Sequence, residues 1–120
     1  MYFFILLLKF FSSKSTYAIN EIESLALWGL DERWPKYMKF RPISILALMQ
    51  NQPVICIDKF NYWINEESSP FWASRYAALM SVQSLQDKEL RYKFLSKSKR
   101  VQYDSNRFVR MKFQRIVEEK

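Results

Sequence analysis

Arg107, Arg110, Lys112 and Arg115 recur through the last fourteen residues of the chain, with Phe108 and Met111 set among them and Lys97, Lys99 and Arg100 just upstream. A guanidinium offers a planar fork of donors that suits bidentate contact with phosphate and stacking on a base. Clustered cations gain further from releasing the counterions condensed on a polyanion. These seven residues are therefore the candidate RNA-binding set. Phe108 and Met111 are candidate partner contacts, because large apolar side chains between cations mark contact surfaces. Trp34 and Trp63 join them as partner contacts, since an indole ring brings much area to an interface.

The rest of the composition removes most chemistry. The chain has no histidine, so neither Ser-His-Asp nor Cys-His catalysis can be written, nor an imidazole metal ligand. One glycine, Gly29, cannot build a glycine-rich phosphate cradle. Cys56 alone makes neither an internal disulfide nor a cysteine zinc cluster, and between Ile55 and Ile57 it reads as a buried apolar thiol. The acidic pairs Glu21/Glu23, Asp31/Glu32, Glu66/Glu67 and Glu118/Glu119 are too close in sequence to face one another on a helix, which leaves them solvated or capping roles. No catalytic residue, metal site, cofactor or small-molecule substrate is assigned, and the chain is not expected to be an enzyme.

Charge is concentrated at one end. Of the formal +7, residues 1–85 contribute +1, from eight basic against seven acidic, and residues 86–120 contribute +6, from eleven against five. A local excess of this kind attracts RNA, DNA, an anionic membrane surface or an acidic protein neighbour.

Positioning those cations requires helices. With 120 residues and 21 aromatics the chain suffices for one core, and the expected fold is mainly α: a bundle of about four to six helices over residues 19–120, preceded by an apolar segment at 1–18. Asn20 is the expected cap of a helix that places Ile22, Leu25 and Ala26 on one face and stops at Gly29. Residues 31–42, with two prolines and no clean period, are expected to be an ordered loop. Pro42 can then be the first residue of a buried helix ending at Asn51-Gln52-Pro53. Residues 54–64 suit either strand or helix by pattern, and helix is favoured because no other segment offers a strand to pair with.

Ser69-Pro70 predicts the start of a long helix whose core line runs through Phe71, Arg75, Ala78, Leu79, Val82 and Leu85. Ala73, Ala77 and Ala78 would let a neighbour approach closely. Asp87 opens the next helix, with Leu90, Phe94 and Val101 in line, and Asp104 or Ser105 caps the last. At 100° per residue that last helix buries Val109, Phe113, Ile116 and Val117, leaving Phe108 and Met111 outside the stripe.

Residues 1–11, MYFFILLLKFF, would extend about 16 Å as a helix against a hydrocarbon core of about 30 Å, so this stretch cannot span a membrane. It precedes the first acidic residue, Glu21, and is followed by Ser12, Ser13, Lys14 and Ser15, the composition of a mitochondrial import presequence. Lys9-Phe10-Phe11-Ser12-Ser13 also matches the basic-x-aromatic-Ser-Ser boundary at which many presequences are cut. The alternative for 1–18 is a docking arm against the core or a neighbour.

The sequence thus leads to a non-catalytic structural subunit of a large mitochondrial assembly, in the matrix or on the matrix side of the inner membrane. The first expectation is a ribosomal protein whose partners are RNA and neighbouring protein subunits. The alternative is a peripheral accessory subunit or assembly factor of an inner-membrane respiratory complex, with the basic surface on anionic lipid.

Overall fold

The computed structural model describes residues 24–31, 33–35, 38 and 40–119. The apolar segment 1–18 and the Asn20 cap lie outside these residues. Residues 24–29 are helical and bury Ala26 and Gly29. Five longer helices follow: α1 (Phe40–Asn51), α2 (Ile57–Ile64), α3 (Trp72–Gln83), α4 (Lys88–Ser96) and α5 (Arg107–Glu118). Short 3-10 turns, Pro53–Cys56 and Lys99–Tyr103, lead into α2 and α5. The described residues contain no strand, and none of their helices is long and apolar enough to cross a membrane. The mainly α bundle expected from the pattern is the fold observed.

Helix α3 is the axis of the bundle, packing against α1, α2, α4 and α5, with α1 its most extensive partner. Its buried side chains Ser74, Ala77, Ala78 and Ser81 are small enough for close approach, as the alanine spacing predicted. Ser81 returns its hydroxyl to the Ala77 carbonyl at 2.8 Å. The buried hydroxyls of Ser74 and, on α1, Ser44 make no hydrogen bond, so what these two sites use is small volume. Around the axis, Leu48, Phe60, Leu79, Phe94, Val109 and Ile116 join one core, in which the Phe60 and Phe94 rings meet edge-on at 4.7 Å.

Several boundaries differ from the sequence expectation, each for a local reason. The loop expected through residue 42 ends earlier, at Phe40, and Pro42 occupies the first turn of α1, where a backbone N–H has no intrahelical acceptor to lose. Residues 54–64 are helical, as favoured, with the first turn tightened to 3-10. Ser69 does not cap α3. Its carbonyl accepts from Arg75 Nη1 at 2.7 Å, which holds the strand of chain before α3 extended, and Phe71 becomes the N-cap. Leu85 lies beyond the helix end at Gln83.

Asp87 does cap α4, its Oδ1 accepting from the N–H groups of Glu89 and Leu90 at 3.0 and 3.2 Å. Helix α4 stops at Ser96, so Val101 reaches the core from the 3-10 turn rather than from the helix. Neither Asp104 nor Ser105 caps α5. Asn106 does, its Oδ1 accepting from Phe108 and Val109 at 2.9 and 3.1 Å, because the other two are engaged across the fold. Val117, expected in the core stripe, is exposed.

Candidate nucleic-acid interface

The entrance to α5 is fixed by a buried ion pair that joins it to α3. Arg75 donates from Nε and Nη2 to the two carboxylate oxygens of Asp104 at 2.8 and 3.0 Å, and both side chains are almost fully buried at 3% and 2% exposure. The third face of the guanidinium is the bond to the Ser69 carbonyl. Asp104 Oδ1 also accepts from the Asn106 N–H at 2.8 Å, and the Asp104 carbonyl accepts from Arg110 Nη1 at 2.6 Å. Every strong polar group of the pair is therefore satisfied, which is the condition under which a buried pair is tolerated.

Beside it, Ser105 donates its N–H and its hydroxyl to Glu66. These bonds, the backbone one first, hold the Glu66 carboxyl below its usual range against a small opposing effect of burial. The node ties the loop after α2, the start of α3 and the start of α5 into one arrangement.

The node places α5 so that its flank meets the start of α3. Counting 100° per residue, Phe108, Lys112 and Arg115 fall within about 60° of one another, on the flank toward α3. The Phe108 ring lies 5.8 Å from Trp72, tilted by 34°. Trp72 meets Tyr76 edge-on at 6.0 Å, and Lys112 Nζ stands 5.6 Å from the Tyr76 centroid. Phe108 is 55% exposed and Trp72 40%. Met111, Arg107 and Arg115 are also exposed on α5. Neither α3 nor α5 as far as Val117 contains a single Asp or Glu. The surface is thus aromatic and cationic, and the one carboxylate of the two helices is Glu118 at the end of α5, which accepts from Gln114 Nε2 at 3.0 Å.

The seven expected RNA contacts do not form one patch. Lys112 and Arg115 share the flank of Phe108, with Lys112 half-buried at Tyr76, and Arg107 is exposed about 100° further round α5. Arg110 is exposed on the opposite flank and is tied to the Asp104 carbonyl. Lys97 is the C-cap of α4 and is exposed. Lys99 lines a separate groove of about 660 Å³ between α4 and α5, together with Lys88, Arg91 and Tyr92. Arg100 lines a cleft with Glu66 and Glu67.

The four expected partner contacts also divide. Phe108 and Met111 are on the surface, whereas Trp63 is 4% exposed and belongs to the core. Trp34 is half-buried, packed edge-on against Trp28 at 4.9 Å and Phe40 at 5.8 Å, with its Nε1–H donated to the Trp28 carbonyl at 3.0 Å. Trp72 and Tyr76 were not in the predicted set. The signal available for them was a tryptophan and a tyrosine one helical turn apart in a segment without acidic residues.

Among the described residues no three of Cys, Asp and Glu gather where they could hold a metal ion. Set against models of protein families, curated proteins and solved structures, the chain matches none of them.

Proposed function

We propose that this chain is a non-catalytic, RNA-contacting structural subunit of a large mitochondrial assembly, with a ribosomal protein as the specific reading. The observation that carries it is the joined α3–α5 surface, where the exposed Trp72 and Phe108 rings adjoin Lys112 over Tyr76, Arg115 shares the Phe108 flank, Arg107 is exposed in the first turn of α5, and the one carboxylate of the two helices, Glu118, stands at the far end of α5. Phosphate contact by such cations positions RNA without reading its sequence, which is the role of a subunit that grips a folded RNA. Protein neighbours are accommodated elsewhere: Val54 and Ile55 stand exposed on the 3-10 turn before α2. The mitochondrial matrix as its place rests on the acid-free, serine-containing sequence ahead of Glu21.

The test is the salt dependence of RNA binding. For a single strand, each phosphate neutralised adds about −0.7 to the slope of log K against log salt. Replacing Arg107, Lys112 and Arg115 together by Gln should lower that slope by about 2 while leaving the helix content unchanged. Arg110 is left in place because it secures the Asp104 carbonyl. Purified protein with no RNA affinity that weakens with salt would remove the ribosomal reading. The exposed apolar side chains between the cations then favour the second one, an accessory subunit of an inner-membrane respiratory complex, identified by co-migration with that complex and by binding to cardiolipin-containing vesicles.

A further inference from the structure

Resting on the RNA reading, we infer that the α3–α5 surface takes unpaired RNA, with a base stacked against the Trp72–Phe108 ring pair and the adjoining phosphates held by Arg107, Lys112 and Arg115. Two features separate this from a merely basic face. The rings are presented rather than absorbed: the Arg75–Asp104 node sets α5 at a spacing where Trp72 and Phe108 support one another at 5.8 Å yet remain 40% and 55% exposed. Their flank also has the sign of charge a strand requires, since Lys112 already sits over Tyr76 and Arg115 lies on the same side of α5.

A duplex keeps its bases stacked on each other and offers such rings only its backbone, whereas an unpaired strand can place a base on them. Every base has a π-face, so the surface would favour single strands without strong sequence preference.

The experiment measures binding of the full chain to a labelled oligoribonucleotide of about 12 nucleotides, alone and annealed to its complement, at one salt concentration. The single strand should bind more tightly. Changing Trp72→Ala and Phe108→Ala together should weaken single-strand binding by about five- to a hundredfold, leave duplex binding nearly unchanged and leave the salt slope unchanged. Trp72→Tyr with Phe108→Tyr should restore most of the single-strand affinity, which separates stacking from a loss of fold.

Equal affinity for both RNAs, with no effect of the alanine pair, overturns the inference and leaves the RNA reading standing. A chain that binds neither RNA overturns both. Two further outcomes overturn the inference and reassign the face. One is a dimer that the alanine pair dissociates, which gives the face to a second copy. The other is binding to anionic vesicles that the alanine pair abolishes, which gives it to lipid.

Discussion

Among the described residues, Trp28, Trp34 and Phe40 pack together in one ring cluster and Trp72, Tyr76 and Phe108 in another, with neighbouring centroids 4.9–5.8 Å apart in the first and 5.8–6.0 Å in the second. Each has an arginine–aspartate pair close by in sequence or space. In the first region the indole N–H of Trp34 is taken by the Trp28 carbonyl, Phe40 is buried, and Asp31 and Arg33 neutralise one another in solvent at 2.9 Å. In the second, the arginine–aspartate pair is buried, and Lys112 stands against the Tyr76 ring.

Both clusters leave a tryptophan partly exposed, so exposure alone does not distinguish them. What differs is the charge around the rings and whether their polar groups are already answered from within. The ion pairs teach the same lesson at nearly equal length: 2.9 Å with side chains 86% and 32% exposed, against 2.8 Å at 3% and 2%.

Breaking the pairs should produce the largest contrast. Asp104→Ala leaves the Arg75 guanidinium buried without its carboxylate and should cost about 3–5 kcal/mol of stability, a large part of the 5–15 kcal/mol typical of a domain. Asp31→Ala exposes Arg33 to water it already meets, so its urea midpoint should fall only slightly below that of the unaltered chain. Comparable losses in the two variants would mean that burial does not separate the two pairs.

Removing one ring from each cluster sharpens the contrast further. Phe40→Ala should cost about 3–5 kcal/mol in the same urea measurement, as expected for a buried aromatic. Phe108→Ala should stay within about 0.5 kcal/mol, as expected for a surface site.

Acid should give the smallest effect. Asp31 is held down at about 2 by the Arg33 side-chain hydrogen bonds and then by the Arg33 backbone N–H, and Glu66 is lowered by Ser105. A carboxyl whose pKa falls on folding stabilises the fold above its unfolded value and loses that contribution as pH drops through the folded one. The thermal midpoint should therefore decline below about pH 4.5, where both unfolded values lie. Both groups are solvent-facing, so Asp31→Asn and Glu66→Gln should each flatten that decline only slightly.

Much of the bundle could be read from local pattern. Asp87 as a cap, the helical 54–64, the small-residue face of α3 and the position of Phe108 outside the α5 stripe all depend on spacing within one segment. What could not be read depends on partners distant in sequence. Asp104, Ser105 and Asn106 are three adjacent residues that each can cap a helix. The choice falls to Asn106 because Arg75, 29 residues earlier, claims the first and Glu66, 39 residues earlier, claims the second.

Arg75 itself looked like a member of an apolar stripe, and no local rule says that an arginine there has a buried carboxylate waiting. The basic excess of residues 86–120 was legible as a total. Its division into an α5 flank, a groove beside α4 and a cleft shared with Glu66 and Glu67 is a property of the packing. Trp72 and Tyr76 entered the site for the same reason, carried there by a helix that precedes the basic region.

Cys56 is the only cysteine of the chain, and it is wholly buried, its thiol donating to the Gln52 carbonyl at 3.4 Å. A thiol in that position reacts with a labelling reagent only when the core around α2 opens, so its modification rate under native conditions reports how often that happens. The chain thus carries an internal reporter of its own opening, placed away from the basic surface. With that surface occupied by a bound partner, slower labelling of Cys56 would register the stabilisation of the whole bundle without any dye or substitution near the contact.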